Sequence, residues 1–76
     1  MITQTAAVEI ERPARYGKQL ASHMGNKLPT EEIPDGWRLT FEIGEATLVA
    51  NDTHLVMTST AENLDDLQKI QYALVK

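Results

Sequence analysis

The 76-residue sequence contains no cysteine, which removes disulfide staples, thiolate metal sites and thiol nucleophiles together. A secreted domain of this length usually depends on such staples, so the expected compartment is a reducing one, the cytoplasm. Long hydrophobic runs are missing as well. No stretch approaches the roughly 20 apolar residues of a membrane span. Met1-Ile2-Thr3-Gln4-Thr5 has neither the basic start nor the apolar run of a signal peptide. Positive charge is scarce: seven Lys and Arg stand against eleven Asp and Glu, and the net charge of −4 argues against indiscriminate binding to nucleic acid or anionic lipid. There are only two histidines, without a recognisable spacing, whereas a metal site takes three or four ligands; no metal and no cofactor is expected. No phosphate-cradling glycine motif, repeat, low-complexity segment or linker occurs.

What is present is an ordinary globular balance, 42% hydrophobic and 24% charged. A chain this short buries only about 60–65% of its unfolded surface, so residues 1–76 are expected to form a single domain around one core.

Residues 2–10 alternate, with Ile2, Ala6, Val8 and Ile10 on one side and Thr3, Thr5, Ala7 and Glu9 on the other, the pattern of a half-buried strand. Pro13 marks a helix start, because its missing N–H costs nothing in the first turn. From there Tyr16, Leu20 and Met24 follow helical spacing as expected anchors, with Gly17 and Ala21 beside them allowing close approach to a sheet, and Gly25-Asn26 ends the helix. Leu28 to Gly36, with Pro29, Pro34 and Asp35-Gly36, reads as an acidic loop. Trp37, Leu39, Phe41 and Ile43 alternate, then Ala46, Leu48 and Ala50, then Leu55 and Met57, with turns at Gly44-Glu45 and Asn51-Asp52: an antiparallel meander. Thr60 or Asn63 caps a last helix with Leu64, Leu67, Ile70 and Leu74 as its buried stripe. The expected fold is α+β in the order β-α-β-β-β-α, a four-stranded, mainly antiparallel sheet with both helices packed on one face. The place of the first strand in that sheet is open.

Charge is distributed unevenly. Arg12 to Lys27 holds Arg12, Arg15, Lys18 and Lys27 and no acid, while the remainder holds all eleven acids and three basic residues, Arg38, Lys69 and Lys76. At helical spacing Arg12, Arg15, Gln19, Ser22, His23 and Asn26 share one side, with Lys18 at its flank. Such a stripe suits a carboxylate or phosphate, since Arg offers a planar fork of donors. The plainer alternative is a solvated helix face paired with the acidic loop. His23 is either an anion contact that strengthens on protonation or a helix-end residue stabilised by the dipole. Ser22, Ser59 and the threonines have no triad-like setting, and no catalytic residues are assigned. Binding of single-stranded RNA to the open sheet face would need aromatic platforms there, and Trp37 and Phe41 share the parity of Leu39 and Ile43, which makes them core.

Arg12-Pro13-Ala14-Arg15-Tyr16-Gly17-Lys18-Gln19-Leu20, then His23-Met24-Gly25-Asn26-Lys27-Leu28-Pro29, resembles a bacterial family, domain of unknown function 2218, whose members read R-P-x-R-Y-x-K-Q-L-x-x-H-[FM]-x-x-K-[VL]-P at this place. Phe41-Glu42-Ile43-Gly44-Glu45-Ala46-Thr47-Leu48 is similar to that family's strand–glycine–strand segment. The resemblance covers essentially the whole chain and picks out Arg15, Tyr16, Lys18, Leu20, His23, Lys27 and Pro29. It implies a small α+β domain found alone or appended to siderophore-interacting, flavin-dependent ferric reductases, with no established activity. The chain departs from the pattern at Gly17, where a bulkier apolar residue is usual, and at Tyr72-Ala73-Leu74-Val75-Lys76, where relatives read His-Leu-x-Arg-Phe.

The expectation is therefore a non-enzymatic accessory or binding module. Its candidate ligand- or partner-binding residues are Arg12, Arg15, Lys18, His23 and Lys27, and the expected counterpart is an anionic small molecule or a partner protein, with no nucleic acid and no membrane. The alternative is a structural domain that self-associates through a strand edge, so the chain is monomer or homodimer.

Overall fold

In a computed structural model that describes residues 1–75, the chain runs β1 (Ile2–Glu9), α1 (Pro13–Gly25), β2 (Thr30–Ile33), β3 (Gly36–Phe41), β4 (Gly44–Ala50), β5 (His54–Ala61) and α2 (Leu64–Val75). Lys76, counted above among the basic residues, lies outside the described residues.

The class is α+β, but the sheet has five strands, in the order β1-β5-β4-β3-β2, every neighbouring pair antiparallel. The fifth strand is β2, in the segment expected to be loop. Proline cannot donate to a ladder and so signals a turn, yet Pro29 and Pro34 here bracket four residues without interrupting them. Thr30 to Ile33 pairs with Leu39 to Gly36, and Arg38 Nη1 donates to Glu31 Oε1 across the pair at 2.9 Å. Pro34-Asp35 makes the connecting turn, Asp35 taking φ 62°; proline followed by a residue of positive φ is the make-up of a type II turn. The next turn is also displaced: Phe41 pairs with Gly44, so Glu42-Ile43 forms it instead of Gly44-Glu45. The first strand lies at the open end of the sheet beside β5, Ile2 facing Ala61 and Glu9 facing His54.

Register assigns the faces. Leu39, Ala46, Ser59, Leu48 and Leu55 point to one side, and both helices pack there to close a core of Ala21, Leu39, Ala46, Leu48, Leu55, Ala61, Leu67, Ile70 and Leu74. Trp37 and Phe41 border it, as their parity predicts. The other face is threonine-rich, with Thr3 and Thr60 hydroxyls 3.1 Å apart and Thr5 and Thr58 3.2 Å apart, and a half-buried row of Ile33, Val49 and Val56 crosses it.

Each helix turns out differently from its simplest amphipathic reading. In α1 the residues buried against the sheet are Pro13, Gly17 and Ala21, with Leu20 and Met24 half-buried on the flank; Tyr16, expected as an anchor, is 52% exposed. The cause is contact distance. A Cβ on Gly17 would lie 2.8 Å from Trp37 Cζ3 and 3.1 Å from Leu55 Cδ1, so the indole occupies the place of a side chain and α1 lies on its small-residue stripe. In α2, Asn63 is the cap, its Oδ1 accepting from the Asp66 N–H at 2.9 Å. Asp65 and Asp66 sit in the first turn, at the positive end of the dipole. Leu67, Ile70 and Leu74 are buried, but Leu64, at the first helical position, is 51% exposed.

Candidate functional site

Helix α1 begins at Arg12, whose side chain makes no cap, and its first turn has no acid. The helix ends as Asn26 donates to His23 O at 3.4 Å, and Lys27 and Leu28 donate to Met24 O at 3.0 and 2.9 Å. Lys27 is therefore beyond the helix, yet held in its last turn by backbone bonds.

With Gly17 and Ala21 against the sheet, Arg15, Gln19, Ser22 and Asn26 point outward. Arg12, Tyr16, Leu20, His23 and Lys27 follow one flank at spacings of three and four, and Lys18 falls on the opposite flank. The five candidate residues are not one cluster. Arg12 and Arg15, with Tyr16, Gln19, Ile10 and Glu11, line a shallow depression at the start of α1. His23 and Lys27 line a separate groove of about 420 Å³ at the other end. Lys18 belongs to neither lining.

The groove runs along the seam between α1 and α2. Leu20, Met24 and Leu28 come from α1 and its last turn, Phe41 from the end of β3 and Ala73 from α2. All five are half-buried, whereas His23 and Lys27 are exposed. No acid lines it. These apolar members were missed as functional positions because Leu20, Met24 and Phe41 read as packing residues, Leu28 as the start of a loop and Ala73 as part of the last helix outside its buried stripe; only the exposure of Tyr16 breaks the expected pattern on the same flank.

The acidic loop does not neutralise α1. Among the described residues the ion pairs are Arg38–Glu31 at 2.9 Å and Lys69–Asp66 at 4.0 Å, so Glu31 is engaged within its own hairpin. Arg12, Arg15, Lys18, His23 and Lys27 have no side-chain hydrogen bond or ion pair among the described residues. The opposite polarity appears near the β3–β4 turn, where Glu42, Glu45, Glu62 and Asp66 border an open hollow of about 500 Å³. They do not converge as metal ligands: no group of three or more candidate ligands is found among the described residues. His54 lies at the β4–β5 turn, its Nδ1 2.6 Å from the Thr53 hydroxyl, in a turn held by Asn51 Oδ1, which accepts from the N–H groups of Thr53 and His54. None of the described helices is long and apolar enough to cross a membrane.

A family model described as an uncharacterised protein conserved in bacteria, DUF2218, matches residues 5–76. The chain belongs to the DUF2218 family. The match contains the whole Arg12–Pro29 segment and both helices. The chain is also similar to a solved structure, the NMR structure of PA4090 from Pseudomonas aeruginosa, at 26% identity and a TM-score of 0.79, over 99% of this chain and 81% of that one. The comparison with curated proteins finds no match. Membership of DUF2218, an uncharacterised family, supplies no activity for the fold or for the basic segment.

Proposed function

We propose that this DUF2218 chain is an accessory binding domain that uses the cationic side of α1 to contact an anionic small molecule or an anionic patch on a partner protein. The observation that carries the reading is that Arg12, Arg15, Lys18, His23 and Lys27 have no side-chain partner among the described residues of a chain with eleven acids. An unengaged guanidinium keeps its full donor fork for an external carboxylate or phosphate. Isolated surface charges contribute little each, so the proposal needs several to act on one ligand. The role is binding, with no cofactor, in the cytoplasm. A link to siderophore iron handling is carried in from the company that relatives keep, a fold-level analogy.

Titration of the chain with inorganic phosphate, followed by amide chemical shifts, is expected to perturb residues 12–27. The Arg12→Glu/Arg15→Glu variant, both positions being exposed, is expected to bind at least tenfold more weakly with an unchanged circular dichroism spectrum. Perturbations elsewhere, or undiminished binding by the variant, would sink the reading.

A second reading, self-association through a sheet edge, is favoured by the contrast between the two edges. β2 is short, bracketed by prolines and carries Glu31 and Glu32, the usual devices against edge pairing. β1 is eight residues long, and from Ile2 to Val8 it has no charge and no proline. Ile10 donates its N–H to Thr53 O at 3.1 Å, so by antiparallel alternation Thr3, Thr5 and Ala7 aim their N–H groups at the free edge. On this reading sedimentation at low micromolar concentration gives a dimer. Thr5→Pro removes an edge donor that β5 does not use, and is expected to give a folded monomer; a wild-type chain that stays monomeric at hundreds of micromolar would count decisively against it.

A further inference from the structure

We infer that the groove between α1 and α2 is a binding site for a small carboxylate bearing an acyl or aryl body, with His23 and Lys27 taking the carboxylate and Leu20, Met24, Leu28, Phe41 and Ala73 the body. The inference rests on the cationic-α1 reading and adds to it a ligand class for the end of the helix remote from Arg12 and Arg15.

Three observations carry it. The first is shape. At about 420 Å³ the groove falls within the range of small-molecule sites, about 300–1,000 Å³. The depression beside Arg12 and Arg15 is lined from the α1 side alone and has no counterpart of the α2 wall.

The second is polarity. Small-molecule sites are predominantly apolar with a few polar groups that fix orientation, and here five half-buried apolar side chains meet two nitrogen-bearing ones. A bare phosphate would satisfy the nitrogens and leave the apolar floor wet. A neutral hydrocarbon would cover the floor and leave the Lys27 ammonium without a counterion.

The third is charge complementarity. Among the described residues the groove has no acid in its lining and no side-chain partner for His23 or Lys27, while the open hollow near the β3–β4 turn is bordered by four carboxylates. An anion is thus favoured at the groove and disfavoured at the hollow. His23 and Lys27 line the same groove, and the Lys27 N–H bond to Met24 O ties Lys27 to the last turn of α1. Two donors on one wall suit the two oxygens of a single carboxylate.

The test compares acetate, octanoate below its micelle-forming concentration and 1-octanol on the same full chain, again by amide and methyl chemical shifts. Octanoate is expected to bind at least tenfold more tightly than acetate, because each further methylene removed from water adds to affinity, with shifts at Leu20, Met24, Leu28 and Ala73. Lys27→Ala, an exposed change, is expected to weaken octanoate at least fivefold and leave the weak binding of 1-octanol unchanged. Ala73→Leu, which narrows the groove, is expected to weaken both; if that variant does not fold, Lys27→Ala decides alone. Octanoate binding no tighter than acetate, while phosphate still perturbs residues 12–27, would overturn the groove assignment and leave the cationic helix standing. Octanol binding as tightly as octanoate would also overturn it, by showing an apolar docking surface indifferent to charge. Failure of phosphate and octanoate together would remove both readings.

Discussion

Leu48→Ala is expected to lower the free energy of unfolding by about 3–5 kcal/mol, the upper part of the range for a buried leucine reduced to alanine. Leu48 lies on the central strand β4, fully buried, between Trp37 of β3 and Met57 of β5 in the ladder. Its neighbours are held by the backbone bonds of two adjoining strands and cannot collapse into the space left behind, so the cavity cost adds to the lost transfer free energy. A domain of this size has only about 4–11 kcal/mol of total stability, and the variant should therefore sit close to the unfolding threshold. Urea denaturation provides the measurement, read as a lower midpoint at an unchanged slope. Leu64→Ala is the control. Leu64 is the same residue type but 51% exposed at the start of α2, so its loss should cost within about 0.5 kcal/mol. Equal effects at the two positions would mean that the core is not centred where the register places it.

Gly36→Ala is the other change of large expected effect, and it adds only a methyl group. A Cβ on Gly36 would lie 1.8 Å from the carbonyl oxygen of Leu48 and 2.9 Å from the Cα of Val49. Those are backbone atoms of the neighbouring strand, and they cannot yield without opening the β3–β4 ladder at the point where β3 leaves its turn with β2. Overpacking of this kind costs about 3 kcal/mol or more, enough to lose the folded state or to leave the β2–β3 hairpin detached. The comparison is Gly25→Ala at the end of α1. There the nearest atom to the new Cβ is the Thr30 hydroxyl at 3.3 Å, a side chain that can rotate away. Removing backbone freedom from the unfolded chain should make that change neutral or stabilising by up to about 1 kcal/mol. Thermal melts of the two variants separate the cases. A Gly36→Ala protein as stable as the parent would show that the two strands do not approach so closely.

Much of the fold is legible along the chain because its elements differ in period. The shift from alternation in residues 2–10 to spacings of three and four after Pro13 marks β1 and α1, and the Asn63 cap with Asp65 and Asp66 marks α2. The fifth strand is not legible. Four residues between two prolines have no period to read, and they become a strand only because β3 offers a free edge for them to pair with. Tyr16 is misread for a related reason. Its spacing with Leu20 and Met24 is sound, but the helix is rotated toward Gly17 and Ala21 by the Trp37 ring, which comes from a strand twenty residues later. The candidate site shows the same division. The run of basic residues is visible at once, because like charges adjacent in sequence need no partner to be noticed. Its separation into a depression beside Arg12 and Arg15 and a groove beside His23 and Lys27 is not, because Phe41 and Ala73 reach the seam from other elements.

Local chemistry by itself thus determined the α+β class, the two helices, the parity that places Trp37 and Phe41 on the helix side, the acid-free cationic stretch from Arg12 to Lys27, and the resemblance that the match to DUF2218 bears out. These depend on periodicity, capping and charge, all of which act within a few residues. Only the tertiary structure decided that the sheet has five strands, that β1 is a bare edge and β2 a guarded one, that α1 rests on glycine and alanine, and that His23 and Lys27 overlook an apolar seam. Each of these depends on which distant surface arrives to cover a residue, and that is settled by packing across the whole core.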